Sequence, residues 1–249
     1  MSKPCFSCVV PVKGSRQYLD ESLASLANQG LGDELEIIVQ DGDVEPDSGQ
    51  SDALNMGFAK AKGEWLFWLN ADDVLLPEAL KKVQQFMVDT SQLTTLNWIA
   101  GDTVYIDEVG NVKGVRCDAK WRSWFGKKLS VWTGGPSAFF KRELWEKHGG
   151  FDTELKYAMD IDLWTRWAKA GEKFVGLGDY VWGFREHCGS KTGSGHNVAV
   201  QAEELRMVRE RYGIGNERLW RNLTRAASVL DGAWFKRKRD SQRMQGTRI

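Results

Sequence analysis

Cysteine is scarce in this chain of 249 residues: there are four, Cys5, Cys8, Cys117 and Cys188, too few and too scattered to frame a disulfide scaffold. That scarcity points to a reduced, cytoplasmic setting. Cys5 and Cys8 have CxxC spacing, but they fall on or beside an expected strand with no second Cys or His pair nearby, which argues against a zinc site. No apolar run approaches the roughly 18 residues of a membrane-crossing helix, and residues 1–12 lack the apolar core of a secretory leader. The expectation is a soluble or at most peripheral protein. An excess of either charge is also missing. Lys plus Arg total 34 and Asp plus Glu total 34, so the formal net charge of +0 gives no global field to draw in nucleic acid. Internal repeats and low-complexity tracts are absent as well.

What is present is a regular alternation. A buried strand over 6–12 ends at Pro11 and the Lys13-Gly14-Ser15 turn, and Tyr18, Leu19, Ser22, Leu23 and Leu26 then recur at helical spacing. A second strand, Leu35-Glu36-Ile37-Ile38-Val39-Gln40, ends in Asp41-Gly42-Asp43. A helix over 51–61 follows, with Ser51 or Asp52 as its N-cap and N–H groups suited to an anion. Strands alternating with helices predict an α/β fold with a mostly parallel sheet and right-handed crossovers.

The most informative stretch is Gly63-Glu64-Trp65-Leu66-Phe67-Trp68-Leu69-Asn70-Ala71-Asp72-Asp73-Val74. Five unbroken apolar residues suit a strand buried on both faces, and the run stops at a turn carrying two acids. In open α/β sheets a ligand sits beyond the carboxyl ends of the strands. Asp72 and Asp73 therefore either shape a turn before a helix opened by Pro77-Glu78, or offer hard oxygens to Mg²⁺ or Mn²⁺ on a diphosphate. Further along, 77–90 is amphipathic. Residues 98–106 and 112–115 flank a Gly-containing hairpin loop, and Trp132-Thr133-Gly134-Gly135-Pro136 leads into an apolar strand. Helices are expected over 141–148, from Tyr157 and over 197–212, the last with its charges on a solvated face. Residues 175–184 read as a strand pair, and a glycine-rich loop over 185–196 can fold over phosphates. From Asn216, Leu219, Trp220, Leu223, Ala227, Leu230 and Trp234 form an apolar stripe ahead of Lys236-Arg237-Lys238-Arg239. This basic tail packs on the main domain or rests on an anionic leaflet. Most of the 12 tryptophans are expected in the core.

In their order along the chain, several of these pieces resemble family 2 of the glycosyltransferases, inverting enzymes of the GT-A fold. The matching pieces are Val9-Val10-Pro11-Val12-Lys13, Ile37-Ile38-Val39-Gln40-Asp41-Gly42, Gly49-Gln50-Ser51-Asp52-Ala53-Leu54-Asn55, Leu69-Asn70-Ala71-Asp72-Asp73, Gly149-Gly150-Phe151-Asp152, Met159-Asp160-Ile161-Asp162-Leu163-Trp164 and His187-Cys188-Gly189-Ser190-Lys191-Thr192. The resemblance implies a three-layer α/β/α GT-A domain with C-terminal helices. Residues 1–113 would form the nucleotide-sugar half, 114–196 the acceptor half and 197–249 a helical extension. It also implies a nucleotide-diphosphate sugar as donor, UDP-linked, and a glycan or lipid-linked acceptor in polysaccharide biosynthesis. Pro11, Val12, Lys13, Asp41 and Asp52 would hold the nucleotide. Asn70-Ala71-Asp72 takes the place of the family's DxD motif, with Asp72 and His187 as ligands of Mn²⁺ or Mg²⁺. Arg185 and Lys191 would neutralise diphosphate oxygens, and Asp160 stands where the family has its catalytic base.

Three departures accompany the resemblance. Asn70 replaces an acid, Met159 stands where an acid often precedes the base, and about eight residues lie between Asp41-Gly42 and Ser51 where the family has a further helix and strand. A non-catalytic nucleotide-sugar-binding or scaffold protein is the alternative these departures suggest. A nucleotidyltransferase is disfavoured, because no glycine-rich, basic triphosphate loop follows the first strand.

Overall fold

The first strand fixes the layering. In β1 (Phe6–Val12) the side chains of Phe6, Cys8 and Val10 enter one apolar cluster and Val9 enters another on the opposite face. β3 (Trp65–Trp68) repeats this, sending Trp65 and Phe67 one way and Leu66 and Trp68 the other. A strand whose faces are both covered is mostly apolar on both, which is why these runs do not alternate; the exception in β1 is the buried Ser7, whose hydroxyl donates to Glu36. This computed structural model describes residues 3–90, 96–117, 134–191, 197–215, 222, 226, 229 and 232–249.

Helices α1 (Leu19–Ala27) and α3 (Ala79–Asp89) cover one face through Leu26, Leu80 and Val83. The other face is covered by α2 (Gln50–Lys60), α4 (Arg142–His148), α5 (Met159–Lys169) and α6 (Val198–Arg211), through Phe58, Leu144, Trp164, Trp167 and Val208. Trp164 stacks on Trp98 at 4.9 Å and on Trp68 at 5.9 Å, which locks α5 against two strands. Truncating such a residue to alanine costs about 3–5 kcal/mol. The expectation of buried tryptophans holds for Trp68, Trp98, Trp164 and Trp167.

The sheet runs β2-β1-β3-β7-β5-β8-β4, with β6 paired to β5. Here β2 is Leu35–Asp41, β4 Val74–Leu75, β5 Trp98–Ile106, β6 Val112–Arg116, β7 Ala138–Lys141 and β8 Phe174–Arg185. The longest ladders, β1–β2 and β5–β8, are parallel, while β7, β4 and β6 join antiparallel. β2 is an edge strand from which the chain passes directly into α2, so the short segment after Asp43 leaves the sheet unextended on that side.

Some local expectations are corrected. Residues 175–184 belong to a single 12-residue strand, not a pair, because parallel pairing with β5 runs along its length. α2 is capped by Gly49 rather than Ser51 or Asp52; its φ of 139° suits glycine, and Ser51 is buried inside the first turn. α3 starts at Ala79, after Glu78 in a left-handed conformation, so Pro77 is not its first residue. At the end of the chain α7 (Ala233–Met244) packs on β6, and the following residues pair with the hairpin: Val112 N–H donates to the Thr247 carbonyl at 2.7 Å. Trp234 is exposed, so it is not part of a packed stripe, and Leu219, Trp220, Leu223, Ala227 and Leu230 lie outside the described residues. Among the described residues no helix is long and apolar enough to cross a membrane.

Candidate active site

β3 ends at Trp68, and directly after the acidic turn β4 pairs antiparallel with β8, Val74 opposite Gly183. That pairing carries the end of β8 back past the turn. His187 Nε2 lies 3.1 Å from Asp72 Oδ2, and Arg185 N–H donates to Asp73 Oδ1 at 2.9 Å. The contact depends on Gly183, where a Cβ would come within 2.7 Å of Val74 Cγ2.

The two acids differ in surroundings. Asp73 is 1% exposed and is held by Asn70 Nδ2, which donates at 2.8 Å, and by the Arg185 N–H. Burial first, then the neighbouring Asp72 charge, pushes its pKa well above the usual carboxylate range. Asp72 keeps its carboxylate on the wall of a cleft of about 630 Å³. An amide at position 70 can both donate and accept, and Asn70 does: its Oδ1 accepts from Gln50 Nε2 at 2.8 Å.

Gln50 extends this chain of contacts, because its Oε1 accepts from Lys191 Nζ at 2.8 Å. The Lys191 ammonium also lies over the Tyr157 ring at 5.3 Å. Burial lowers its pKa, opposed by the Asp160 and Glu204 charges. A continuous path of polar contacts therefore runs from the 185–191 loop through Gln50 and Asn70 to Asp73 and back to Arg185.

Across the cleft, Asp160 sits in the first turn of α5, its Oδ1 accepting from the Ile161 N–H at 2.8 Å. Burial raises its pKa to about 6, against the pull of Arg116 and Lys191. The backbone leading into α5 is held by Glu204 of α6, which accepts from the N–H groups of Lys156, Tyr157 and Ala158 at 3.0, 2.6 and 2.9 Å. A carboxylate at a helix start satisfies donors that have no partner in the helix and complements its dipole. The expectation of a solvated charged face on α6 holds for the exposed Glu203, Arg206 and Glu210, but Glu204 is only 6% exposed, and Arg211 pairs with Asp152 and Asp162 at 2.8 Å. α2 ties the same region to the nucleotide side. Ser51 Oγ donates to the Leu155 carbonyl at 2.9 Å, and Asn55 makes two 2.9 Å bonds to the backbone of Phe151. Beneath Asp160, Gly135 lies so close to Trp68 that a Cβ would meet its ring at 2.3 Å and Asp160 Oδ2 at 3.2 Å.

Of the residues singled out in the sequence, Pro11, Val12, Lys13, Asn70, Asp72, Asp160, His187 and Lys191 line this one cleft. Asp41, Asp52 and Arg185 are not part of its lining. Asp41 is paired with Arg16 at 2.8 Å, and Asp52 accepts from the Ser48 N–H and hydroxyl at 2.9 and 3.0 Å. Arg185 is 1% exposed, donates to the carbonyls of Asp72 and Glu108 at 2.9 and 3.1 Å, and pairs with Glu21 at 2.8 Å. Its guanidinium thus bonds to the backbone of the acidic turn. Thr192, beyond Lys191, lies outside the described residues. Sequence reasoning assigned no role to Gln50, Glu204, Arg116 or Gly135. Gln50 and Gly135 stood inside quoted motifs, whereas Glu204 had no signal that separated it from the other charges of its helix.

Solved structures share this architecture. S. aureus TarS 1–349 in complex with UDP-GlcNAc superposes with a TM-score of 0.62 at 19% identity, over 82% of this chain and 65% of that one. The mannosyltransferase PcManGT from Pyrobaculum calidifontis, in complex with GDP-Man and Mn²⁺, gives 0.58 at 19% identity, over 93% and 76%. The fold is therefore that of the GT-A glycosyltransferases. In sequence, the model of glycosyl transferase family 2 matches residues 44–105. An uncharacterized glycosyltransferase of Methanocaldococcus jannaschii is 26% identical over 216 residues, 74% of this chain and 72% of that protein. Another, of Rickettsia prowazekii, is 24% identical over 235 residues, 81% and 70%. Over residues 44–105 the chain thus resembles glycosyltransferase family 2, and its relatives over most of its length are glycosyltransferases.

Proposed function

We propose that the chain is a metal-dependent inverting glycosyltransferase, moving a sugar from a nucleotide-diphosphate sugar, UDP-linked, to a hydroxyl of a glycan or lipid-linked acceptor in polysaccharide biosynthesis. The observation that carries this reading is one cleft bearing Asp72 beside His187 on one wall and Asp160, with its pKa raised to about 6, on another. Residues 1–113 serve as the donor half, 114–196 as the acceptor half and 197–249 as the helical extension.

The residues fit a divalent ion. Neighbouring ligands of an octahedral ion at about 2.1 Å lie about 3 Å apart, and the Asp72 and His187 ligand atoms are separated by 3.1 Å. A carboxylate and an imidazole suit Mn²⁺, and among the described residues no third His, Cys, Asp or Glu joins them, which leaves positions for diphosphate oxygens and water. Such an ion would supply charge neutralisation to the departing diphosphate. Lys13 and Lys191 add positive charge to the donor side. Asp160 takes the proton from the attacking hydroxyl as its oxygen bonds to the anomeric carbon; the bond to the diphosphate breaks, its electron pair leaving with the phosphate oxygen. A base with a pKa near 6 is mostly ionised at neutral pH yet still basic enough to accept that proton.

The test is release of nucleoside diphosphate from a panel of nucleotide sugars with Mn²⁺ and candidate acceptors. Turnover that requires both acceptor and Asp160 supports the reading. Tight donor binding without turnover on any acceptor would favour a non-catalytic binding protein instead.

A further inference from the structure

The C-terminal helix α7 (Ala233–Met244) faces the protein with polar groups. Lys236 Nζ pairs with the buried Asp102, donates to the Gly178 carbonyl at 2.7 Å and lies over the Tyr180 ring at 4.2 Å. Asp240 accepts from the Tyr180 hydroxyl at 2.8 Å, and Met244 packs beside Val104 and Val112. Positions 236, 240 and 244 follow one another at helical spacing, so they define the inward stripe. The opposite face carries the aromatic residues: Trp234 is 44% and Phe235 59% exposed, with their rings in contact at 4.9 Å. Lys238, Arg239 and Arg243 of the same helix are exposed, with Arg239 pairing to Asp240 at 3.1 Å. Lys238 Nζ lies 5.5 Å from the Trp234 ring centroid.

This arrangement is the reverse of a helix whose apolar face packs on its own domain. Two large aromatic side chains in one turn stay in solvent while the inner face makes mainly polar contacts, and the Lys238 ammonium lies beside Trp234. The helix holds five basic residues, Lys236, Arg237, Lys238, Arg239 and Arg243, against one acid, Asp240, whose carboxylate accepts from Tyr180 and Arg239. A chain with a net charge of +0 thus concentrates positive charge at this end. We infer that α7 is an interfacial helix that docks the protein on an anionic lipid surface, with Trp234 and Phe235 entering the headgroup region and Lys238, Arg239 and Arg243 meeting lipid phosphates. Charge complementarity selects the occupant, and a Trp–Phe pair suits the boundary between headgroups and acyl chains, where an aromatic ring is wetted on one side only. The inference stands apart from the reading of the cleft, since none of these residues lines it.

The experiment is co-sedimentation of the full chain with phosphatidylcholine vesicles, with and without phosphatidylglycerol, over a range of ionic strength. Expected is binding to the anionic vesicles alone, weakened by salt. Trp234→Ala with Phe235→Ala should lower the partition coefficient about tenfold or more. Lys238→Glu with Arg243→Glu should lower it about thirtyfold or more, at roughly fivefold per lost cation. Both pairs leave Lys236, Asp240 and Met244 in place, and an unchanged circular dichroism spectrum and melting temperature check that the helix remains docked. Equal binding to both kinds of vesicle, no binding to either, binding that survives both double substitutions, or binding to single-stranded RNA in place of vesicles would each overturn the inference.

Discussion

Replacing Asp160 with asparagine separates the proposed catalytic role from a structural one, because the two predict changes of opposite sign. Burial raises the carboxyl from its ordinary 3.8 to about 6. At about 1.36 kcal/mol per unit, the folded protein carries a penalty of up to about 3 kcal/mol for holding this group ionised. The group prefers to be neutral in the folded state. Its stability contribution is therefore full below pH 3.8, falls as pH rises through the window from 3.8 to about 6, and stays low above it. Asparagine does not titrate and nearly matches the carboxyl in shape. Asp160→Asn should accordingly be more stable than wild type at pH 8, with the difference shrinking to nothing near pH 4. Turnover should nevertheless fall by about 10²–10⁴-fold, the usual contribution of a general base, with nucleotide affinity nearly unchanged. In the wild type, kcat/KM should decline about tenfold for each pH unit below 6. The assays are denaturant melts at several pH values and nucleoside diphosphate release. A variant that turns over at a near-wild-type rate refutes the assignment of the base, and one less stable at pH 8 refutes the account of its buried charge.

Four further outcomes follow from the same geometry. Asp72→Asn and His187→Ala should each remove the rise in melting temperature that Mn²⁺ adds to a nucleoside diphosphate, while leaving the protein folded; an undiminished Mn²⁺ effect in both counts against this pair as ligands. Glu204→Ala should cost about 3 kcal/mol in denaturant melts, since three N–H groups, that of Ala158 buried, lose their acceptor, and it should reduce turnover although Glu204 is outside the cleft. Gly135→Ala should destabilise by about 1–3 kcal/mol, because its Cβ meets the Trp68 ring, and a fully stable alanine variant would show that this backbone is not held as described. Gln50→Ala breaks the link between Lys191 and Asn70 and should raise KM for the donor about tenfold; an unchanged KM shows that the two ends are held independently.

Much of the architecture is legible from local pattern. The unbroken runs at 6–12 and 65–69 announce strands covered on both faces, and the clusters on either side of β1 and β3 bear that out. Helical spacing marks α1 and α3, and the hairpin at 98–116 follows from its Gly-containing loop. Local pattern fails where the decision is made at a distance. Residues 175–184 contain glycines that suggest a turn, yet pairing with β5 draws them into one strand. Arg185 and Asp41 have the residue type of ligand-binding groups, but both lie outside the cleft lining, Arg185 bonding to backbone carbonyls and Glu21 and Asp41 to Arg16. Glu204 is chemically the same as its exposed neighbours Glu203 and Glu210, and only packing of α6 against the start of α5 distinguishes it.

The sequence by itself determined the alternation of strands and helices, the acids beyond the end of the third strand and the motifs that resemble glycosyltransferase family 2, because backbone periodicity and turn chemistry act over a few residues. The tertiary structure decided which charged groups face the cleft, how far the Asp160 carboxyl is shifted and which helix face is left in solvent. Those outcomes depend on burial and on partners up to 141 positions away, as with Lys191 and Gln50. A side chain's chemistry is written in its residue type, but its electrostatic energy is set by the neighbours that folding brings to it.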